Sequence, residues 1–143
     1  MRLALRILIA EDYQDLADSY RSVLKTRGHE VMIASNGIGC NTIFRQYTMK
    51  TGDIVRPYFD IVILDQKMPF MDGVETAKEI LFLNPKQKII FITGNPQSVL
   101  QKLPQLQGNI LVMKKPFTIQ ELLLAVENFS IDMLREMAKT VRK

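Results

Sequence analysis

Five short apolar runs alternate along this chain with segments of helical periodicity, and few folds accept that alternation. The runs are Leu5 to Ala10, Val31 to Ala34, Asp60 to Leu64, Lys88 to Thr93 and Ile110 to Met113. Leu5 to Ala10 (LRILIA) is apolar on both faces, as a strand covered on both sides should be. Asp15 to Arg27 carries Leu16, Tyr20, Val23 and Leu24 at helical spacing, with Gly28 placed to end the helix. An Asn36-Gly37 turn precedes a second predicted helix, Ile38 to Tyr47. Val74 to Leu83 is a third, stopped by Asn84-Pro85. Asn95-Pro96 opens a short fourth, limited by Pro104. Thr118 and Glu121 form a capping box before an apolar stripe of Ile119, Leu122, Leu123, Val126 and Phe129. Strands alternating with helices predict βα units in a parallel, doubly wound α/β sheet. Thr48 to Pro57 (TMKTGDIVRP) mixes Gly, Pro and charge without periodicity, and is expected to be a loop.

The length, 143 residues, suits one domain with a real core, and 47% apolar with 24% charged residues is a globular balance. No apolar run is long enough to span a bilayer. The basic start runs into Glu11-Asp12 with no small-residue cleavage site, so no signal peptide is expected. A cytoplasmic chain without membrane association follows as the expectation. Cys40 is alone and reads as a small buried apolar residue. Net charge is +4, and half of it lies beyond Ser130, where Arg135, Lys139, Arg142 and Lys143 face Asp132 and Glu136. That excess is too diffuse for a nucleic-acid footprint, so no direct DNA binding is expected. One domain over residues 1–130 is followed by a basic tail, 131–143. Ile131, Leu134, Met137 and Val141 continue the last helix's apolar stripe into that tail. The stripe either rests on the domain or makes a homodimer or partner contact.

Ligands of an open α/β sheet bind outside the carboxyl ends of its strands. The first run ends in Glu11-Asp12, the third in Asp65, the fourth in Thr93-Gly94 and the fifth in Lys114-Lys115-Pro116. Carboxylates, a hydroxyl and an ammonium are thus expected on one rim. Clustered carboxylates repel, and together they favour a hard cation such as magnesium. A carboxylate is also a nucleophile toward phosphorus. A metal, a lysine and a hydroxyl are what neutralise and bind the oxygens of a transferring phosphoryl group.

This set resembles the response-regulator receiver domain of two-component signalling, in its stand-alone form. The resemblance is carried by Glu11-Asp12, by Asp65 within DQKMPFMDG, by Phe91-Ile92-Thr93-Gly94 and by Lys115-Pro116-Phe117. Arg27-Gly28-His29-Glu30-Val31 is similar to the family's approach to its second strand. The likeness covers about residues 5 to 130. It implies a flavodoxin-like five-stranded parallel sheet, order 2-1-3-4-5, with helices on both faces. It implies that Asp65 accepts a phosphoryl group from a sensor histidine kinase or a histidine phosphotransfer protein. Magnesium (or manganese) would be held by Glu11, Asp12, Asp65 and the backbone carbonyl of Lys67, with Glu11 acting largely through water. Lys115, chosen over Lys114 because it directly precedes the proline, would pair with the phosphoryl oxygens. Thr93 would move to bind them, and that movement would be the switch. Pro69 and Gly73 would hold the loop carrying the Lys67 carbonyl, and the Lys115-Pro116 bond would be cis. On this reading the chain is a signalling phospho-acceptor, with only self-catalysed phosphotransfer and slow autodephosphorylation. Its output passes to a downstream protein. The alternative is a pseudo-receiver that binds partners without phosphorylation.

The chain departs from the family in places. Val112 stands where a switch aromatic is usual, so a report through the face of the fourth helix, fifth strand and last helix, also a homodimer candidate, would rest on packing. Asp12 and Asp65 are 53 positions apart, longer than usual, and Thr48 to Pro57 accounts for the excess on the side away from the site. Lys67 and Asn95 occupy the positions that tune phosphoryl lifetime. His29 reads as a solvated loop residue, and Asp72 as part of the turn or the next helix start.

Overall fold

The structure is a computed structural model that describes residues 4–103 and 109–129. Its main sheet contains β1 (Arg6–Ala10), β2 (Glu30–Ala34), β5 (Ile61–Asp65), β6 (Lys88–Thr93) and β7 (Ile110–Lys114). All neighbours pair in parallel, in the order β2-β1-β5-β6-β7. With the small sheet of β3 (Met49–Thr51) and β4 (Ile54–Arg56) set aside, this is the flavodoxin-like order that the resemblance implies. The helices are α1 (Gln14–Thr26), α2 (Gly37–Tyr47), α3 (Gly73–Leu83), α4 (Pro96–Lys102) and α5, residues 119–129. The expected continuation past Ser130, its dimer stripe and the Pro104 limit lie outside the described residues.

Strand periodicity divides the core into two layers. Ile7, Ile9, Ile61, Ile63, Ile90 and Ile92 face Tyr20 and Leu24 of α1 and Leu122, Val126 and Phe129 of α5. Leu8, Ala10, Val62, Leu64, Ile89 and Phe91 face Cys40 and Phe44 of α2, Ala77 and Ile80 of α3, and Val99 of α4. Every residue of β5 and β6 is buried, which explains why these runs show no polar alternation.

Local chemistry sets the helix ends. Gly28 follows α1 with φ 88, the left-handed conformation that glycine adopts without a Cβ penalty. Asn36 is the N-cap of α2: its side chain accepts from the Gly39 N–H at 2.8 Å, so Asn36-Gly37 starts a helix directly. Asp72 and Glu75 form a capping box on α3. Thr118 and Glu121 cap α5 as their spacing foretold.

Two expectations are corrected. Thr48 to Pro57 is not an unstructured loop, because Met49–Thr51 (β3) and Ile54–Arg56 (β4) pair as an antiparallel hairpin. Gly52, φ 61, takes the first of its two turn positions, where a tight hairpin needs a positive φ. The hairpin joins the end of α2 to the start of β5, so it stands at the amino edge of the sheet. Tyr47, Tyr58 and Phe59 pack against one another at its base. His29 is not solvated either. It is buried, and its Nδ1 accepts the Leu5 N–H at 3.1 Å, which ties the start of β2 to the start of β1. Cys40 is buried as expected, and burial pushes its thiol up to about 12.

Candidate functional site

The strand register assembles the site. Ala10 of β1 lies beside Leu64 of β5, so the residues that follow, Glu11 and Asp65, emerge together. Asp65 lies beside Ile92 of β6, and Thr93 beside Lys114 of β7. Carboxylate oxygens of Glu11, Asp12 and Asp65 all lie within 4.8 Å of one another. Lys115 completes the group: its Nζ donates to Asp65 Oδ1 at 3.1 Å, and its backbone N–H donates to the Thr93 carbonyl at 2.8 Å. Lys114 is exposed, and of the adjacent lysines Lys115 is the one that reaches Asp65. The Lys115-Pro116 bond is cis.

Burial differs across the carboxylates. Asp65 and Glu11 are 5% and 3% exposed, whereas Asp12 is open to solvent. Burial pushes the Glu11 carboxyl up to about 7, and the Asp65 carboxylate adds to the shift. The Tyr13 N–H, donated to Glu11 Oε2 at 3.2 Å, and the Lys115 ammonium oppose it without cancelling it. The Glu11 Oε1 atom is buried with no hydrogen-bond partner. Tyr20, beneath the site on α1, has its phenol pushed up to about 12 by burial and by the nearby Glu11 and Asp65 charges.

One ammonium thus faces three clustered carboxylates, and a buried oxygen lacks a donor. Among the described residues the clustered ligand atoms are carboxylate oxygens, on a partly open rim. That donor set fits a hard divalent cation such as magnesium or manganese, which takes oxygen ligands and keeps water.

The remaining expected residues surround this centre. Thr93 is 5% exposed, and its Oγ1 accepts the Asn95 N–H at 3.0 Å. Asn95 caps α4 by accepting from Ser98 N–H at 3.3 Å. Lys67 is exposed and lines the cleft with Asp12, Gln66, Thr93 and Asn95. Pro69 lies in the same cleft, in a loop where Met71 N–H bonds the Pro69 carbonyl at 2.8 Å. Gly73 starts α3 against the chain of Asp65 and Gln66. Val112 pairs with Phe91 and packs, half-buried, against the layer on the α2–α4 side.

Gln66 escaped the sequence reading. It is 8% exposed and its side chain accepts the Val74 N–H at 2.9 Å. Its only signal in the sequence is a polar residue placed directly after a wholly buried strand.

Residues 7–127 match the model of the response regulator receiver domain family. The response regulator receiver protein CpdR of Brucella abortus (strain 2308) is 29% identical over 126 residues, covering 88% of this chain and 97% of its own length. A response regulator receiver protein of Anaeromyxobacter sp. (strain Fw109-5) is 27% identical over 118 residues. That match covers 82% of this chain but 45% of the relative, so this chain spans about half of that protein. Among solved structures, a response regulator receiver domain protein from Clostridium thermocellum superposes with a TM-score of 0.74 at 27% identity, covering 94% of this chain and 99% of its own. No described helix is long and apolar enough to cross a membrane.

Proposed function

The chain belongs to the response regulator receiver domain family of two-component signalling, and from that premise we propose that Asp65 is its phosphoryl acceptor. The observation that carries this reading is the Lys115 Nζ contact to Asp65 Oδ1, 3.1 Å, inside a cluster of three carboxylates. A carboxylate held by an ammonium on one oxygen keeps the other for attack.

Attack by an Asp65 oxygen on the phosphorus of a phosphohistidine forms the O–P bond as the N–P bond breaks. The imidazole leaves with the bonding pair and takes up a proton. The donor is a sensor histidine kinase or a histidine phosphotransfer protein. Glu11, Asp12, Asp65 and the Lys67 carbonyl would hold the divalent cation. When bound, the cation neutralises charge on the phosphoryl oxygens.

This chain's own groups do the rest. Lys115 sits within reach of an oxygen on the new phosphoryl group and offsets its charge. The Thr93 hydroxyl donates to another phosphoryl oxygen while its Oγ1 keeps the Asn95 N–H, drawing the start of α4 with it. That displacement passes to a partner protein across α4 and β7, where Val112 supplies packing in place of an aromatic. Lys67 and Asn95 flank the cleft and set how readily water reaches the phosphoryl group, hence its lifetime.

The test is intact mass after incubation with magnesium and a small phosphoryl donor, beside Asp65→Asn. A phosphate-sized, magnesium-dependent adduct on the wild type alone supports the reading. An adduct that persists in Asp65→Asn refutes it.

A further inference from the structure

The loop between Asp65 and α3 is closed by a residue with no part in the chemistry above. Gln66 directly follows the acceptor, and its backbone N–H donates to the Ile92 carbonyl at 3.1 Å, extending the β5–β6 ladder by one bond. Its backbone carbonyl accepts the Gly73 N–H at 3.0 Å. Its side-chain oxygen accepts the Val74 N–H at 2.9 Å, in a buried setting. The opening N–H groups of a helix have no partner within it. In α3, Gly73 and Val74 give theirs to Gln66, and Glu75 gives its own to Asp72 Oδ1 at 2.9 Å. The loop therefore begins and ends on the same residue.

The fit at this closure is tight. A Cβ on Gly73 would lie 2.7 Å from the Asp65 carbonyl oxygen and 2.9 Å from Gln66 Oε1. The loop is also held away from its relaxed shape, because Phe70 has φ 70, a conformation that costs a bulky residue. Lys67 is the first residue beyond the closure and lines the cleft beside Asp12.

We propose that Gln66 is a positioning residue: by clasping the start of α3 it fixes the Lys67 carbonyl toward the acidic cluster and so sets the affinity of the site for its divalent cation. This rests on the acceptor reading above. Without the side-chain oxygen, the Val74 N–H loses its partner, the loop relaxes at Phe70, and the carbonyl turns away. Glu11, Asp12 and Asp65 stay in place at the ends of their strands. Groups that orient metal ligands typically control affinity by about 10–100-fold.

The experiment is a magnesium titration of the full chain by calorimetry, with thermal melting of each variant in the absence of the cation. Gln66→Met keeps the length of the side chain and removes the acceptor. Gln66→Glu restores an oxygen for the Val74 N–H. Gln66→Met is expected to weaken magnesium binding about 10-fold or more, and Gln66→Glu to bind at least as tightly as the wild type. Affinity within about twofold of wild type in Gln66→Met would overturn the proposal. So would a loss in Gln66→Glu equal to that in Gln66→Met. Should Gln66→Met not fold, amide exchange on the wild type decides. The Val74 N–H is expected to be protected, and more so with magnesium. Exchange at the rate of a free amide, or protection indifferent to magnesium, contradicts the clasp. A wild type that binds no magnesium while its Val74 N–H is protected would refute the acceptor reading instead.

Discussion

The Lys115 ammonium contacts the Asp65 carboxylate at 3.1 Å although 50 positions separate them in the chain. Every parallel pairing between β5 and β7 is needed to bring them together. Asp65 is nearly buried, while Lys115 is about one-third exposed. Removing the ammonium leaves Asp65 beside Glu11 and Asp12 with no positive side chain bonded to it among the described residues. Lys115→Met is expected to destabilise the fold by about 1 kcal/mol in chelator, the partial exposure keeping the figure small. Magnesium should restore much of that loss. Urea melts with and without magnesium check it, and a variant as stable as wild type in chelator would count against the pairing.

Acidity should change the stability of the cation-free protein in an unusual direction. Glu11 has its carboxyl raised from 4.5 to about 7, first by burial and then by Asp65. The folded state therefore holds a proton that the unfolded state releases. Its contribution is fully present below pH 4.5 and is lost as pH rises toward 7. Stability in chelator should fall across that window, and Glu11→Gln should flatten the slope. Urea denaturation at a series of pH values measures it. An unchanged slope in Glu11→Gln would remove Glu11 as its source.

Gly73 admits no side chain. The nearest obstacle to a Cβ is the Asp65 carbonyl oxygen at 2.7 Å, which is backbone and cannot swing aside. Gly73→Ala is expected to cost about 1–3 kcal/mol by overpacking and to weaken magnesium binding, because it displaces the start of α3 from Asp65. Denaturant midpoints and a magnesium titration test both parts. Loss of stability with unaltered magnesium affinity would separate the loop from the site.

Phe70 carries the opposite expectation. It is 84% exposed and has φ 70, so its side chain contributes little packing while its backbone is strained. Glycine relieves that strain but adds freedom to the unfolded chain. Phe70→Gly should therefore stabilise the protein slightly, by roughly 0.5 kcal/mol. A clear drop in the denaturant midpoint would show that the ring packs against the domain.

The main sheet and the acidic rim were legible in the sequence for one reason. Strands covered on both faces, such as Ile61–Asp65, appear as unbroken apolar runs, and whatever polar residue follows each run must sit at the carboxyl edge. Glu11, Asp12, Asp65 and Thr93 are legible that way, whereas Lys115 is told from Lys114 only by the resemblance, through the proline that follows it. The hairpin was not, because Met49–Thr51 and Ile54–Arg56 are too short to display alternation. Only the Gly52-Asp53 turn marks it, flanked by residues that solvent touches almost throughout. His29 looked like a loop residue because its burial depends on Leu5, 24 positions earlier. Gln66 was passed over because its partner, the Val74 N–H, meets it only once the loop has closed. Polar residues whose role is set by a distant backbone group leave no local pattern to read.

The central claim is that Asp65 itself becomes phosphorylated. Borohydride reduction of the protein after treatment with magnesium and a small phosphoryl donor converts an acyl phosphate to an alcohol at the modified residue, and peptide mass mapping then locates it. Homoserine is expected at position 65 and nowhere else, with none formed when magnesium is withheld. Reduction at Asp12 or Glu11 instead, or a phosphate adduct that borohydride leaves untouched, would contradict it.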